Sequence, residues 1–178
     1  MLSDDIKPIG FDTWDKEEWE QYRARLALPD HEATLEFHRQ VVYDHFEHFN
    51  DHYPDFALED YDLSIEYMKA QEAYDQIKYF HNKPMTDWGP QYDHFKARDQ
   101  DYLIYQRMSK DMTPPFPPVV IHSTLLVDNS WRVYGREIHL IEGTHRVGYL
   151  RRMLELGEIS PDSTHKFVVL RPRSSGAA

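Results

Sequence analysis

Residues 113–118 read Thr-Pro-Pro-Phe-Pro-Pro, and no α-helix can run through them, because proline lacks the amide proton and its ring collides with the preceding turn. The segment favours extended backbone, so it divides the chain into two stretches with different apolar periods. The expectation is an α+β protein: an all-helical region over residues 1–112, a small mixed β-sheet domain with one main helix over residues 113–173, and a short tail at 174–178.

In the first stretch apolar residues recur three and four apart, the spacing of one helical face. Four helices are expected there. The first runs over residues 13–28 with Trp19, Tyr22 and Leu26 in line. The second runs from an Asp30 cap to Pro54, with Leu35, Val42, Phe46, Phe49 and Tyr53. A third covers 62–80 with Leu63, Tyr67, Ala70, Tyr74 and Ile77. The fourth opens after Gly89-Pro90, with Phe95, Tyr102, Tyr105 and Met108.

Past the prolines the pattern changes to short β-branched runs. Strands are expected at 119–121, 131–134, 138–141 and 167–170, with a helix over 144–156 closed by Gly157. Asp128-Asn129-Ser130 and Gly135 supply the turns.

Charge and composition exclude several functions. Apolar residues make up 40 % and aromatic residues 14 % of the 178, so the mean hydropathy of −0.74 reflects charge and not a missing core. The chain contains no cysteine, which removes disulfides, thiolate metal sites and cysteine catalysis. No apolar run approaches the length of a membrane span, and no basic leader precedes an apolar stretch, so a cytoplasmic protein without a membrane partner is expected. Residues 1–112 carry 12 Lys/Arg against 25 Asp/Glu, while the remaining residues carry 8 against 6. Such an acidic field disfavours nucleic acid and favours a basic protein partner.

The segment that carries chemistry is Glu142-Gly143-Thr144-His145-Arg146. An expected strand runs straight into a glycine turn that opens a helix. That arrangement leaves backbone N–H groups and the positive end of the helix dipole at one point. An imidazole and a guanidinium in the same turn suit a phosphate. The bland alternative is an ordinary strand-to-helix turn, with Thr144 as N-cap and Arg146 as a surface charge.

Together with Pro117-Pro118-Val119-Val120-Ile121 upstream, the Leu150 and Leu154 helix and the closing strand, this segment resembles the ParB/sulfiredoxin superfamily. Its members place an acidic residue, a glycine and an arginine between strand and helix. The resemblance covers the last 65 or so residues. It implies a loop that cradles nucleotide phosphates: Gly143 permits close approach, Thr144 and the amides after it bind, and His145 and Arg146 neutralise charge. Glu142 would then face the site as a general base or a metal-bound carboxylate.

Some superfamily members are small-molecule kinases, which makes ATP or ADP with Mg the implied cofactor and a nucleotide or phosphorylated small molecule the implied ligand. Glu142 and His145 are the candidate catalytic residues. Gly143, Thr144, His145 and Arg146 are the candidate cofactor-binding residues. Sulfiredoxins carry their attacking cysteine at the position of Thr144, so sulfinic-acid reduction is excluded. A ParB-type DNA clamp is also disfavoured, since a second Arg-rich box and a downstream helix-turn-helix are missing from the sequence. The alternative reading is a non-catalytic acidic interaction protein of the immunity or antitoxin type, which binds a basic partner such as a nuclease.

Other candidates have weaker signals. His45, His48 and His52, with His38 one heptad earlier, lie along the expected second helix, where His48 and His52 could share a metal ion. The spacing matches neither the His-Glu-x-x-His nor the Glu-x-x-His pattern, so no metal site is expected. His139 alternates with Ile138 and Leu140 and should face away from them. His122 and His165 sit at strand ends. The many tyrosines of residues 1–110 read as core and boundary positions.

Overall fold

A computed structural model describes residues 1–79, 83–98, 102–122, 126–127, 133–134 and 138–173; for 83–86, 126–127 and 133–134 the backbone alone is described. The protein is mixed α/β. Its strands are β1 (Tyr61–Lys69), β2 (Ile77–Lys78), β3 (Val119–Ile121), β4 (Leu126–Val127), β5 (Val133–Tyr134), β6 (Ile138–Glu142) and β7 (Thr164–Pro172). Five of them form one sheet in the order β1-β7-β3-β6-β2, while β4 and β5 pair separately. Within the sheet, β1–β7 and β3–β6 are antiparallel, and β3–β7 and β2–β6 are parallel.

Helices cover both faces of this sheet. On one face lie α1 (Trp19–Arg25), α2 (Glu32–Phe37), a π-helical segment (His38–Tyr43) and α3 (Asp44–His52). Their Tyr22, Phe37, Val42, Phe46 and Phe49 pack with Val119, Ile121, Ile141, Val168 and Leu170. On the other face lie α4 (Ala70–Gln76), α5 (Lys83–Arg98), α6 (Leu103–Asp111) and α7 (Thr144–Glu155). There Ala73, Tyr92, Tyr105, Met108, Tyr149, Leu150 and Met153 meet Val120, Ile138, Leu140, Phe167 and Val169. Because successive strand side chains point to opposite faces, a central strand buried on both sides must be apolar at every position. Phe167-Val168-Val169-Leu170 is such a run, and all four residues are buried.

The expected third helix is overturned. Residues 61–69 form β1, and only Ala70–Gln76 is helical before β2 begins. Residues 1–112 are therefore not all-helical. Their strand β1 pairs with β7 over its whole length, from Tyr61↔Pro172 to Lys69↔Thr164. Tyr61, Leu63 and Ile65 pack toward one core, while Asp62 and Glu66 reach Arg173 and Arg171.

The expected first helix starts later, at Trp19, where extended Glu18 is the N-cap and forms a capping box with Gln21. The second is split by the π-helical segment, and at His45 (φ −136°, ψ 30°) it kinks. The fourth becomes two helices, and Pro90 lies inside α5 rather than at its start.

The last helix ends as expected. Gly157 (φ +70°) receives the chain, its N–H bonds to Leu154 O and the N–H of Glu158 bonds to Met153 O, a Schellman arrangement. Of the expected strand at 131–134, β5 covers Val133–Tyr134. Residues 131 and 132, and the turns at 128–130 and 135, lie outside the described residues.

Candidate functional site

The end of β6 and the start of α7 meet the kinked helix of residues 32–52 across an open cleft of ≈ 170 Å³. Glu142, Gly143, His145 and Arg146 line one side, and Gln40, Asp44 and His45 line the other. Phe116 and Ile104 supply apolar walls. Four of the five residues of the sequence-predicted loop are thus brought together with three residues about a hundred positions away; Thr144 does not line the cleft.

Gly143 is required by geometry. Its φ is +108°, and a Cβ there would sit 3.0 Å from both Arg146 Nη2 and Pro118 Cβ. It occupies the N-cap position of α7 with no side-chain cap bond, so Thr144 is the first helical residue and not the cap. Thr144 is half-buried.

Arg146 does not reach into solvent. It is 6 % exposed, and its Nη1 donates to Gln40 Oε1 (2.6 Å) and to Phe116 O (3.2 Å), while Nη2 donates to Glu142 Oε1 (3.3 Å). Burial pulls its pKa down and Glu142 and Glu36 oppose that shift; the guanidinium remains charged. Gln40 is fixed in turn, because its Nε2 donates to Glu36 Oε2 (2.7 Å) and Pro117 O (3.1 Å). The proline run therefore does more than separate helix from strand: its carbonyls accept from both members of this buried network. Extended prolyl backbone leaves those oxygens available.

His145 is half-buried. Its ring lies on Trp88, with centroids 3.4 Å apart, and Tyr102 and Tyr149 stand 6.0 and 6.2 Å away. Burial lowers its pKa first and Arg146 lowers it further, so the imidazole is neutral at pH 7. It can donate or accept one hydrogen bond there but adds no positive charge.

The histidine ladder is partly assembled. His45, His48 and His52 succeed one another at ring separations of 6.4 and 4.2 Å, and His52 Nδ1 lies 2.8 Å from His48 O. They share a small cavity with Tyr53, Tyr79 and Glu142. Burial lowers the His48 pKa, with His52 and His45 adding to the shift and Glu142 opposing it. Among the described residues, no group of three His, Asp or Glu is placed to hold a metal ion.

His38 lies apart from the ladder. It is buried beside Tyr22, whose hydroxyl is 3.0 Å from Nδ1, and burial depresses its pKa to about 4. His139 faces away from Ile138 and Leu140, with Nε2 2.8 Å from Tyr53 Oη, and is buried rather than open to solvent. His165 is buried between Ser163 Oγ (2.9 Å) and Thr113 Oγ1 (3.1 Å).

Sequence reasoning missed Gln40, Ile104 and Phe116 as cleft residues and gave Asp44 no role there. Gln40 carried a signal, since a polar side chain beside Val41-Val42 on an otherwise apolar face needs a buried partner. The other three carried none: Ile104 and Phe116 reach the cleft from distant segments, and the kink at His45 next to Asp44 has no proline or glycine to announce it.

Comparison with protein-family models, with curated proteins and with solved structures finds no match to this chain. Among the described residues, no helix is long and apolar enough to cross a membrane.

Proposed function

We propose that the cleft between Gly143 and His45 binds a phosphate-bearing small molecule, a nucleotide or a phosphorylated metabolite, in the manner of the ParB/sulfiredoxin superfamily, and that phosphoryl transfer is its chemistry. The observation that carries this reading is the convergence of Glu142, Gly143, His145 and Arg146 with Asp44 and His45 on one open cleft. The first turn of α7 begins at its edge, where amides and helix dipole favour an anion. A neutral His145 can donate one N–H to a phosphate oxygen, and the charged Arg146 behind Gly143 adds its field without leaving its buried network.

The volume of the cleft decides how much ligand it holds. At ≈ 170 Å³ it is smaller than the roughly 300–1,000 Å³ of sites that enclose a whole drug-sized ligand. The phosphoryl end is held between the apolar walls of Ile104 and Phe116, and a base or sugar extends out of the cleft. Asp44 and Glu142 both line the cleft, and magnesium is commonly held by one or two carboxylates plus substrate phosphates. Those oxygens fit Mg as the partner of ATP or ADP, and its charge would offset that of the phosphates.

Glu142 is the base. Arg146 Nη2 fixes its Oε1, and its side chain is 31 % exposed toward the cleft. It takes the proton of an acceptor hydroxyl as that oxygen forms its bond to phosphorus and the bond to the leaving phosphate breaks. The test is equilibrium binding of Mg-ATP, Mg-ADP and inorganic phosphate by calorimetry and thermal shift. The expected result is a raised Tm with at least one of these, and Glu142→Gln retaining binding of inorganic phosphate while losing turnover. No shift at millimolar concentrations would refute the reading, since a ligand that binds only the folded state must stabilise it.

A further inference from the structure

The loop of residues 8–18 carries a large exposed apolar side chain, and its Lys16 pairs with Asp44 at the edge of the cleft (3.8 Å). Trp14 is fully exposed, at 105 % relative accessibility, and Ile9 in the same loop is 60 % exposed. Large exposed indoles are uncommon, because burying one removes extensive apolar surface from water. The loop is held rigidly. Glu17 Oε1 accepts from Ile9 N (2.8 Å) and Arg25 Nη2 (2.6 Å), and Glu17 Oε2 accepts from Arg25 Nε (3.1 Å). Thr13 N and Oγ1 both donate to Gly10 O, and Asp12 stands at φ 61°, a conformation that L side chains rarely adopt. Below, Phe11 packs edge-on against Phe46 at 6.2 Å.

Charge around the loop is sorted by sign. Both lysines of this region turn back onto the protein: Lys7 Nζ binds Glu47 Oε1 at 2.6 Å, and Lys16 Nζ donates to Tyr43 O at 2.6 Å above the Tyr43 ring. Asp12, Asp15 and Glu18 face outward and are exposed. Trp14 thus shares its loop with three exposed carboxylates while the two lysines are engaged elsewhere, in a stretch of chain with about twice as many acids as bases.

We infer that Trp14 is the anchor of a docking site for a basic protein surface, one that presents an apolar patch to the indole and lysine or arginine to Asp12, Asp15 and Glu18. A pre-ordered loop loses little conformational freedom on binding, and tryptophan is among the residues that most often dominate such contacts. Opposite charge on the partner hastens encounter and excludes acidic competitors.

The probe is a fluorescently labelled peptide of alternating Lys and Leu, monitored by anisotropy, with an alternating Glu and Leu peptide as control. The expected result is binding of the basic peptide alone, weakened at least about tenfold by Trp14→Ala, recovered within about threefold by Trp14→Phe, and weakened by Asp12→Asn with Asp15→Asn and by added salt. Truncating a fully exposed side chain leaves the fold unchanged, so circular dichroism and Tm of Trp14→Ala should match the parent. The inference is overturned if the basic peptide does not bind, or binds Trp14→Ala equally well. It is also overturned if Trp14→Ala instead abolishes self-association in sedimentation or partitioning onto phosphatidylcholine vesicles.

Discussion

Arg146→Met should destabilise the protein through the partners it leaves behind. The guanidinium gives Gln40 Oε1 its 2.6 Å hydrogen bond inside the core, and Gln40 is itself buried. An orphaned buried acceptor costs roughly 1–3 kcal/mol. Glu142 is partly solvated and recovers water, so its lost ion pair adds only about 1 kcal/mol or less. Removing the guanidinium also relieves its own desolvation, which offsets part of the loss. The net expectation is about 2–3 kcal/mol, or a fall in Tm of roughly 5–10 °C for a chain of this size.

Urea denaturation of Arg146→Met, Gln40→Met and the double variant separates these terms. In the double variant the orphaned acceptor is gone, so its cost should fall short of the sum of the singles by at least about 1 kcal/mol. Strict additivity, or a single-variant cost below about 1 kcal/mol, would refute the idea that this network fixes the wall of the cleft.

The same physics governs two other outcomes. His38 has its pKa depressed by burial to about 4 from 6.5, so above pH 6.5 both folded and unfolded forms are neutral and stability is intact. As pH falls from 6.5 toward 4 the unfolded chain takes up a proton that the folded one refuses, and stability drops by about 1.4 kcal/mol per pH unit from this group. The His38 ring signals in NMR should stay those of neutral imidazole down to pH 5; titration near 6.5 would contradict this. Gly143→Ala forces a Cβ to within 3.0 Å of Arg146 and Pro118 at φ +108° and should cost about 2 kcal/mol or more in chemical denaturation. It should also abolish phosphate binding, and a neutral substitution would mean that the turn adapts.

What the sequence made legible was local. The strand-glycine-helix of residues 138–156 was readable because apolar alternation, a breaker glycine and a 3.6-residue stripe occur in order over contiguous residues. The run at 167–170 was readable because only a strand buried on both faces is apolar at every position. Residues 62–69 read as helix although Tyr61, Leu63, Ile65 and Tyr67 alternate with Asp62, Ser64 and Glu66, which is the period of a strand. Tyr67, Ala70, Tyr74 and Ile77 also fit a helical stripe, and the competition is settled by something not local. β7 lies a hundred residues away and offers β1 nine paired positions, with Arg171 and Arg173 placed for Glu66 and Asp62.

The same distinction explains the cleft. Its loop side was legible because glycine, histidine and arginine sit within four residues. Its other side depends on how a long helix is wound. In an unbroken α-helix, Gln40 and Asp44 would lie one above the other on a single face. The π-helical segment at His38–Tyr43 widens the turn there, and the kink at His45 redirects the remainder of α3. Gln40, buried against Arg146, lines the cleft together with Asp44 and His45, and His45, His48 and His52 continue along Glu142. Glu142 is therefore the residue on which the two readable motifs converge, held from one side by Arg146 and bordered on the other by imidazoles. Burial lowers the pKa of His48 in that border, so its imidazole is neutral at pH 7 and adds no positive charge beside Glu142.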